Sequence, residues 1–246
     1  MMRQRLITGL GRMIGGIRST PRLSLPAEHS FPADEPLSTL PVTVLDIETT
    51  GLNVARDRLL SIGALHCHGA QREAAPPLDL LVHPGVKIPK RATQIHGITD
   101  ADVAFAPSFA LIWSRLQAYW QGRVLIGHNI AFDLAVLRHE AERARLPFRP
   151  PSAVLDVCLL YAGLRPRRQN ISLEQVAEDL GITVSGRHQA LGDAEAAAAI
   201  WAHLLPPLGS RGIATLGAAR DLMARQRDLI HGQTRAGWSV DLLLAS

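Results

Sequence analysis

The sequence predicts an α/β layer fold in which a central mixed sheet is flanked by helices. Short apolar, β-branched runs come first along the chain. Helical periodicities then alternate with further short apolar runs, the order expected when helices and strands are layered together. With 47% apolar and 20% charged residues over 246 positions, the chain can bury one sizeable core, and a single domain with appendages is the natural division.

Residues 1–40 are expected to be a basic, disordered extension and linker. Residues 1–27 carry Arg3, Arg5, Arg12, Arg18 and Arg22 and no acid, while residues 23–40 are rich in Pro, Ser and Glu without sustained periodicity. Arg12 and several glycines interrupt any signal-peptide core, although an Arg-rich start also suits a transit peptide or a membrane-surface segment. A domain spanning 41–206 follows. Residues 42–47 read as a buried strand closed by Thr49-Thr50-Gly51, with further strands at 58–66 and 77–82. Residues 87–100 read as a loop with at most one helical turn, placed where functional loops tend to lie.

Phe109, Ile112, Trp113, Leu116 and Trp120 fall at helical spacing within 105–120, and this aromatic stripe suits a core better than a base-stacking platform. A strand at 124–127 leads into a helix at 132–145 that Pro147 ends, and a second strand-to-helix unit covers 153–163. Ser172 and Gln175 have capping-box spacing, so a helix should run over 173–180 and stop at Gly181. The Ala-rich stretch 191–205 should be helical up to Pro206-Pro207. Residues 207–246 form a C-terminal extension of unknown role with a helix at 213–230.

Bulk properties exclude more than they assign. The net charge of +4 is mostly a tail effect, since residues 28–246 hold 21 basic and 22 acidic side chains. A near-neutral folded part gives no independent sign of nucleic acid. Cys67 and Cys158 are too few for a disulfide framework and lack metal-ligand spacing, so a reducing cytoplasm is the expected compartment. No run approaches the ~20 apolar residues of a membrane-spanning helix, and no membrane association is expected of the folded domain.

Three acidic motifs carry candidate chemistry. Asp46 and Glu48 lie two apart at a strand end, so their carboxylates share one face while Ile47 faces the core. Two adjacent like charges make sense beside a divalent cation, and hard oxygen ligands favour Mg²⁺ or Mn²⁺. Asp133, in the run GHNIAFD, begins a helix, where an acid could equally be a favourable first-turn charge. His188 and Asp193, in RHQALGDA, sit before and inside a helix start, with Gly186 giving the preceding loop backbone freedom. Each motif alone has an ordinary structural reading.

Taken in order, VLDIETTGL at 44–52, IHGIT at 95–99, HNIAFDLAVL at 128–137 and RHQALGDA at 187–194 resemble the DEDDh exonuclease family, which includes the proofreading ε subunit of bacterial DNA polymerase III. The resemblance covers about residues 42–205. It implies a ribonuclease H-like fold and a metal-dependent 3′-to-5′ exonuclease that releases nucleoside 5′-monophosphates. It further implies that Asp46, Glu48, Asp133 and Asp193 hold two divalent ions, that His188 is the general base, and that Thr49, Leu52, His96, Asn129 and Phe132 border the substrate. An unperturbed histidine pKa near ~6.5 suits that role at working pH.

Single-stranded DNA 3′ ends in proofreading or repair are the expected substrate, with RNA 3′ ends as the alternative and a non-catalytic nucleic-acid or polymerase accessory protein as the remote one. The ε subunits continue into a polymerase-binding tail, which is not recognisable after Leu205, so a stand-alone or accessory enzyme is expected. Arg165, Arg167 and Arg168 form a local basic cluster that either touches the strand or is a solvated loop.

Overall fold

The computed structural model describes residues 30–165 and 171–244. Residues 1–29, and Arg167 and Arg168 of the basic cluster, lie outside the described residues. One mixed sheet organises the chain. Its central strand β1 (Pro41–Thr49) pairs antiparallel with β2 (Leu59–His68) on one side and parallel with β5 (Val124–Gly127) on the other. β3 (Gln71–Arg72) and β4 (Leu78–Leu81) extend the β2 edge, and β6 (Val154–Asp156) lies parallel beside β5. Val42, Val44 and Leu45 are buried on both faces of β1, which explains why that segment reads as a continuous apolar run.

Helices α3 (Phe109–Trp120), α4 (Ile130–Arg143) and α7 (Ala190–Gly209) pack against the sheet, as expected of a layered α/β fold. In α3 the aromatic stripe is core, with Trp113 stacked on Phe148 and edge-on to Trp120. α5 (Val157–Leu164) and α6 (Leu173–Asp179) connect β6 to α7. The Ser172–Gln175 capping box opens α6 as expected.

Several expectations need correction. The region 87–100 is not mainly loop: it holds α1 (Lys90–His96) and α2 (Asp100–Val103). Its Pro89 and Gly97 are boundary residues rather than breakers, Pro89 just ahead of the first turn and Gly97 at φ 77° as the C-cap. A reciprocal capping box of Thr99 and Asp102 starts α2. α7 runs through Pro206 and Pro207 in its last turn, where each forfeits a helix donor and crowds the carbonyl four residues back while the Pro206 carbonyl still accepts from the Ser210 amide at 3.0 Å.

The appendages are also less separate than their composition suggests. Residues from Ala33 onward belong to the packed structure: the Leu37 amide donates to the Ala214 carbonyl at 2.9 Å, and the Leu216 and Gly217 amides donate to Glu35 and Ala33 at 2.9 and 2.8 Å. Leu37 and Leu40 are buried. The single helix expected at 213–230 is two, α8 (Leu216–Ala224) and α9 (Arg227–Arg235), and a further short helix, α10 (Val240–Leu244), lies beyond it. α8 and α10 pack on β6, α10 also meets α4 and α9, and the Ser239 amide donates to the Ala131 carbonyl at 3.0 Å. Among the described residues no helix is long and apolar enough to cross a membrane.

Candidate active site

The site forms where β1 outruns its parallel neighbour. Pairing of β1 with β5 stops at Val44, so Asp46 and Glu48 project beyond the β5 end while Ile47 stays in the core. Asp46 lies opposite Gly63 of β2. A Cβ at Gly63 would come within 2.1 Å of the Leu191 amide nitrogen, so this glycine lets the start of α7 descend onto the sheet and bring Asp193 beside Asp46. Gly192 permits the next approach, because a Cβ there would meet the Gly186 carbonyl at 2.2 Å. The loop carrying His188 thereby folds over the helix start.

The turn before α4 delivers Asp133. Asn129 is left-handed at φ 57°, a conformation asparagine tolerates better than most residues, and its amide donates to Asp156 Oδ1 at 3.2 Å. The same carboxylate caps α5 through the Cys158 and Leu159 amides at 2.8 and 3.4 Å. Asp156, fully buried, therefore joins two helix starts at one point.

Four carboxylates from three chain segments share this place. Burial and then the neighbouring Asp133, Asp193 and Glu48 hold the Asp46 carboxyl well above the usual carboxylate range, with Arg187 opposing. Burial, together with Asp193, pushes Glu48 up to about 7. Asp133 is raised by burial first, then by Asp156 and Glu48, against hydrogen bonds from its own and the Ile47 backbone. Asp193 is raised by burial, while Arg187 and the His188 amide pull it back. Such mutual repulsion in a buried group is what a bound cation relieves.

Ligand atoms of Glu48, His188 and Asp193 lie within 4.8 Å of one another. Asp193 Oδ2 accepts from Arg187 Nη1 and from the His188 amide at 3.2 Å, whereas its Oδ1 is buried without a partner. A donor set of hard oxygens with one unpaired buried oxygen fits a divalent cation. His188 itself is half-buried and held at φ 61°, a strained conformation of the kind found at functional positions.

The remaining expected residues divide into two groups. Thr49, Leu52 and His96 line, with Glu48, a cleft of about 410 Å³ on the β1 side, where Leu52 is 80% exposed and His96 is buried. Burial lowers the His96 pKa, the Thr49 backbone opposes, and His188 adds to the lowering. Asn129 and Phe132 instead face the C-terminal extension. Asn129 Oδ1 accepts from Gln233 Nε2 at 3.2 Å, and Phe132 meets Trp238 edge-on at 5.6 Å.

Sequence reasoning overlooked three contributors: Arg187, which also binds Glu174 Oε1 at 2.5 Å, the structural Asp156, and Gln233. Arg187 stood inside a quoted motif and was open to notice; Gln233 had no local signal.

The raised carboxyls make metal-free stability depend on pH. Between the usual carboxylate value of 4.5 and about 7, the folded protein holds a proton on Glu48 that the unfolded chain has already released. Unfolding then becomes easier as pH rises through that window. Thermal unfolding in EDTA should give a lower Tm at pH 8 than at pH 5.5, and saturating Mg²⁺ should recover most of the loss; a flat or rising EDTA profile would refute the crowded-carboxylate picture.

The family model described as Exonuclease matches residues 43–201. A DNA polymerase III subunit epsilon-like protein of Rhodobacter capsulatus is 40% identical over 189 residues, covering 76% of this chain and 27% of that protein. A PolC-type DNA polymerase III of Caldanaerobacter subterraneus is 29% identical over 187 residues, 76% of this chain and 13% of the relative. The chain thus spans about a quarter or less of the length of these relatives. Among solved structures, Exonuclease X in complex with 5′ overhanging duplex DNA superposes with a TM-score of 0.57 at 24% identity, covering 74% of this chain and 99% of that one. The nuclease domain of 3′hExo, a DEDDh family member bound to rAMP, gives 0.59 at 17% identity over 71% of this chain and 94% of that one. At these identities the likeness establishes the ribonuclease H-like fold.

Proposed function

This chain belongs to the exonuclease family, whose model spans most of its folded part, and from that premise we propose that it removes nucleotides one at a time from the 3′ end of single-stranded DNA. The observation that carries the reading is the convergence of Asp46, Glu48, Asp133 and Asp193 beside His188, at a cleft wide enough for a terminal nucleotide.

Asp46, Glu48, Asp133 and Asp193 would hold two divalent cations, Mg²⁺ or Mn²⁺. When bound, these supply the positive charge that an in-line displacement at phosphorus requires. The protein's own residues do the rest. His188, kept in reach by its amide bond to Asp193, accepts the proton of the attacking water. Thr49, Leu52 and His96 border the departing nucleotide, whereas Asn129 and Phe132 stand on the side of the C-terminal extension. Because cations rather than Lys and Arg neutralise the scissile phosphate, a near-neutral domain suffices for a grip on a few nucleotides.

The DNA assignment follows the epsilon-like and PolC-type relatives, which are named for a DNA polymerase. The test is digestion of a 5′-labelled single-stranded DNA with Mg²⁺. A ladder shortening from the 3′ end, absent in EDTA, is the expected result. Digestion of a matched RNA alone would move the substrate to RNA, and no digestion of either would leave a nucleic-acid-binding role.

A further inference from the structure

A nuclease that works at an end needs two places: one for the nucleotide that leaves and one for the strand that stays. The cleft at Glu48, Thr49, Leu52 and His96 accounts for the first. A second, larger cleft of about 740 Å³ opens beside Asn129, walled by α9 and the Trp238 turn of the C-terminal extension. We propose that this second cleft binds the retained strand, holding the nucleotides just upstream of the one being removed; the proposal rests on the exonuclease reading above.

The chemistry of its wall suits that ligand. Gln233 is 6% exposed and its Oε1 has no partner, so a buried acceptor at the cleft awaits a donor such as a base amine or a sugar hydroxyl. The amide's other end is fixed on Asn129 Oδ1, which ties this acceptor to the turn that delivers Asp133. Arg235 and His231 line the same cleft on exposed positions, and Arg235 makes no ion pair among the described residues. Asp228 is the acid that faces them. Trp238 is half-buried, braced edge-on by Phe132, and offers an indole on which a base can stack. Rigidity comes from the Ser239 amide bond to the Ala131 carbonyl, which clamps the extension to the first turn of α4.

These observations make α9 a working wall of the substrate path. The experiment compares a ten-nucleotide oligothymidylate with the p-nitrophenyl ester of thymidine 5′-monophosphate, a single-nucleotide phosphodiester that reports the terminal cleft alone. Arg235→Gln, an exposed change, should raise KM for the oligomer roughly three- to tenfold and flatten its log–log salt dependence by about 0.7, the slope of one phosphate contact on a single strand. KM for the ester should move less than about twofold, because it has no upstream phosphate. Equal shifts for both substrates, or none for either, would overturn the second cleft while wild-type activity keeps the exonuclease reading intact. Failure of the wild type on both substrates would remove the exonuclease reading, and this proposal with it.

Discussion

His188→Ala should lower kcat on a DNA oligomer by about 10² to 10⁴-fold while leaving divalent-metal affinity near that of the wild type. Asp46→Ala should abolish turnover and weaken metal binding together. The distinction comes from how the two side chains sit. Asp46 lies on the central strand, surrounded by three other carboxylates, and neutralising that crowd is the reason a cation would bind there. His188 lies on a loop held over the α7 start by Gly186, at φ 67°, and by the missing Cβ of Gly192. Its hydrogen bond to Asp193 is through the backbone amide, and its imidazole makes no hydrogen bond among the described residues. Calorimetric titration with Mn²⁺ separates the roles: affinity falling as far in His188→Ala as in Asp46→Ala would make His188 a ligand instead.

How much of this was open to a reader of the sequence follows from separation along the chain. β1 and its D-x-E pair were legible, because strand alternation alone puts both acids on one face. So was the start of α7, where an Ala-rich helix places Asp193 in its first turn. Residues 87–100 were misread because Pro89 and Gly97 count against a helix when weighed by composition and for one when they stand at its ends.

Contacts made by the folded ends were out of reach altogether. Gln233 and Asn129 are 104 positions apart, and nothing in the run RDLIHGQTR marks its glutamine as the partner of the turn before α4. The pairing of residues 33–37 with 214–217 likewise depends on backbone groups, which carry no sequence signature. Arg187 is an intermediate case. Its place before His188 was visible, but its bridge from Glu174 to Asp193, the feature that makes it a counter-ion for the acidic cluster, required three segments to meet.

Glu140→Ala should be strongly destabilising, costing about 3 kcal/mol, near the lower end for breaking a buried ion pair. Glu140 is 2% exposed on α4 and takes both nitrogens of an Arg58 fork at 2.7 and 3.0 Å, Arg143 Nη1 at 3.1 Å, and the Leu59 amide at 3.3 Å. Removing it leaves the Arg58 guanidinium and the Leu59 amide without this acceptor and takes from Arg143 its charge partner, though Arg143 keeps its bond to the Ala55 carbonyl. Both arginines keep 25–28% of their side-chain surface in water, which is why the estimate sits low in the range. For a chain of this size the Tm should fall by about 6–12 °C. Glu140→Gln, which can still accept from Leu59, should fall between the alanine variant and the wild type.

The consequence reaches the substrate, because the same network secures the loop from Thr50 to Arg58. The Thr50 amide donates to the Arg58 carbonyl at 2.9 Å, Thr50 Oγ1 donates to Asp57 at 3.0 Å, and Arg143 Nη2 donates to the Ala55 carbonyl at 2.7 Å. Leu52 rides on that loop at the mouth of the terminal cleft. At a temperature where Glu140→Gln remains folded, KM for the oligomer should therefore rise while kcat changes little, since no group that touches the scissile phosphate has moved. A fall in kcat with unchanged KM would place the damage at the carboxylates instead, and would mean that α4 transmits the loss of Glu140 to Asp133 along its own axis.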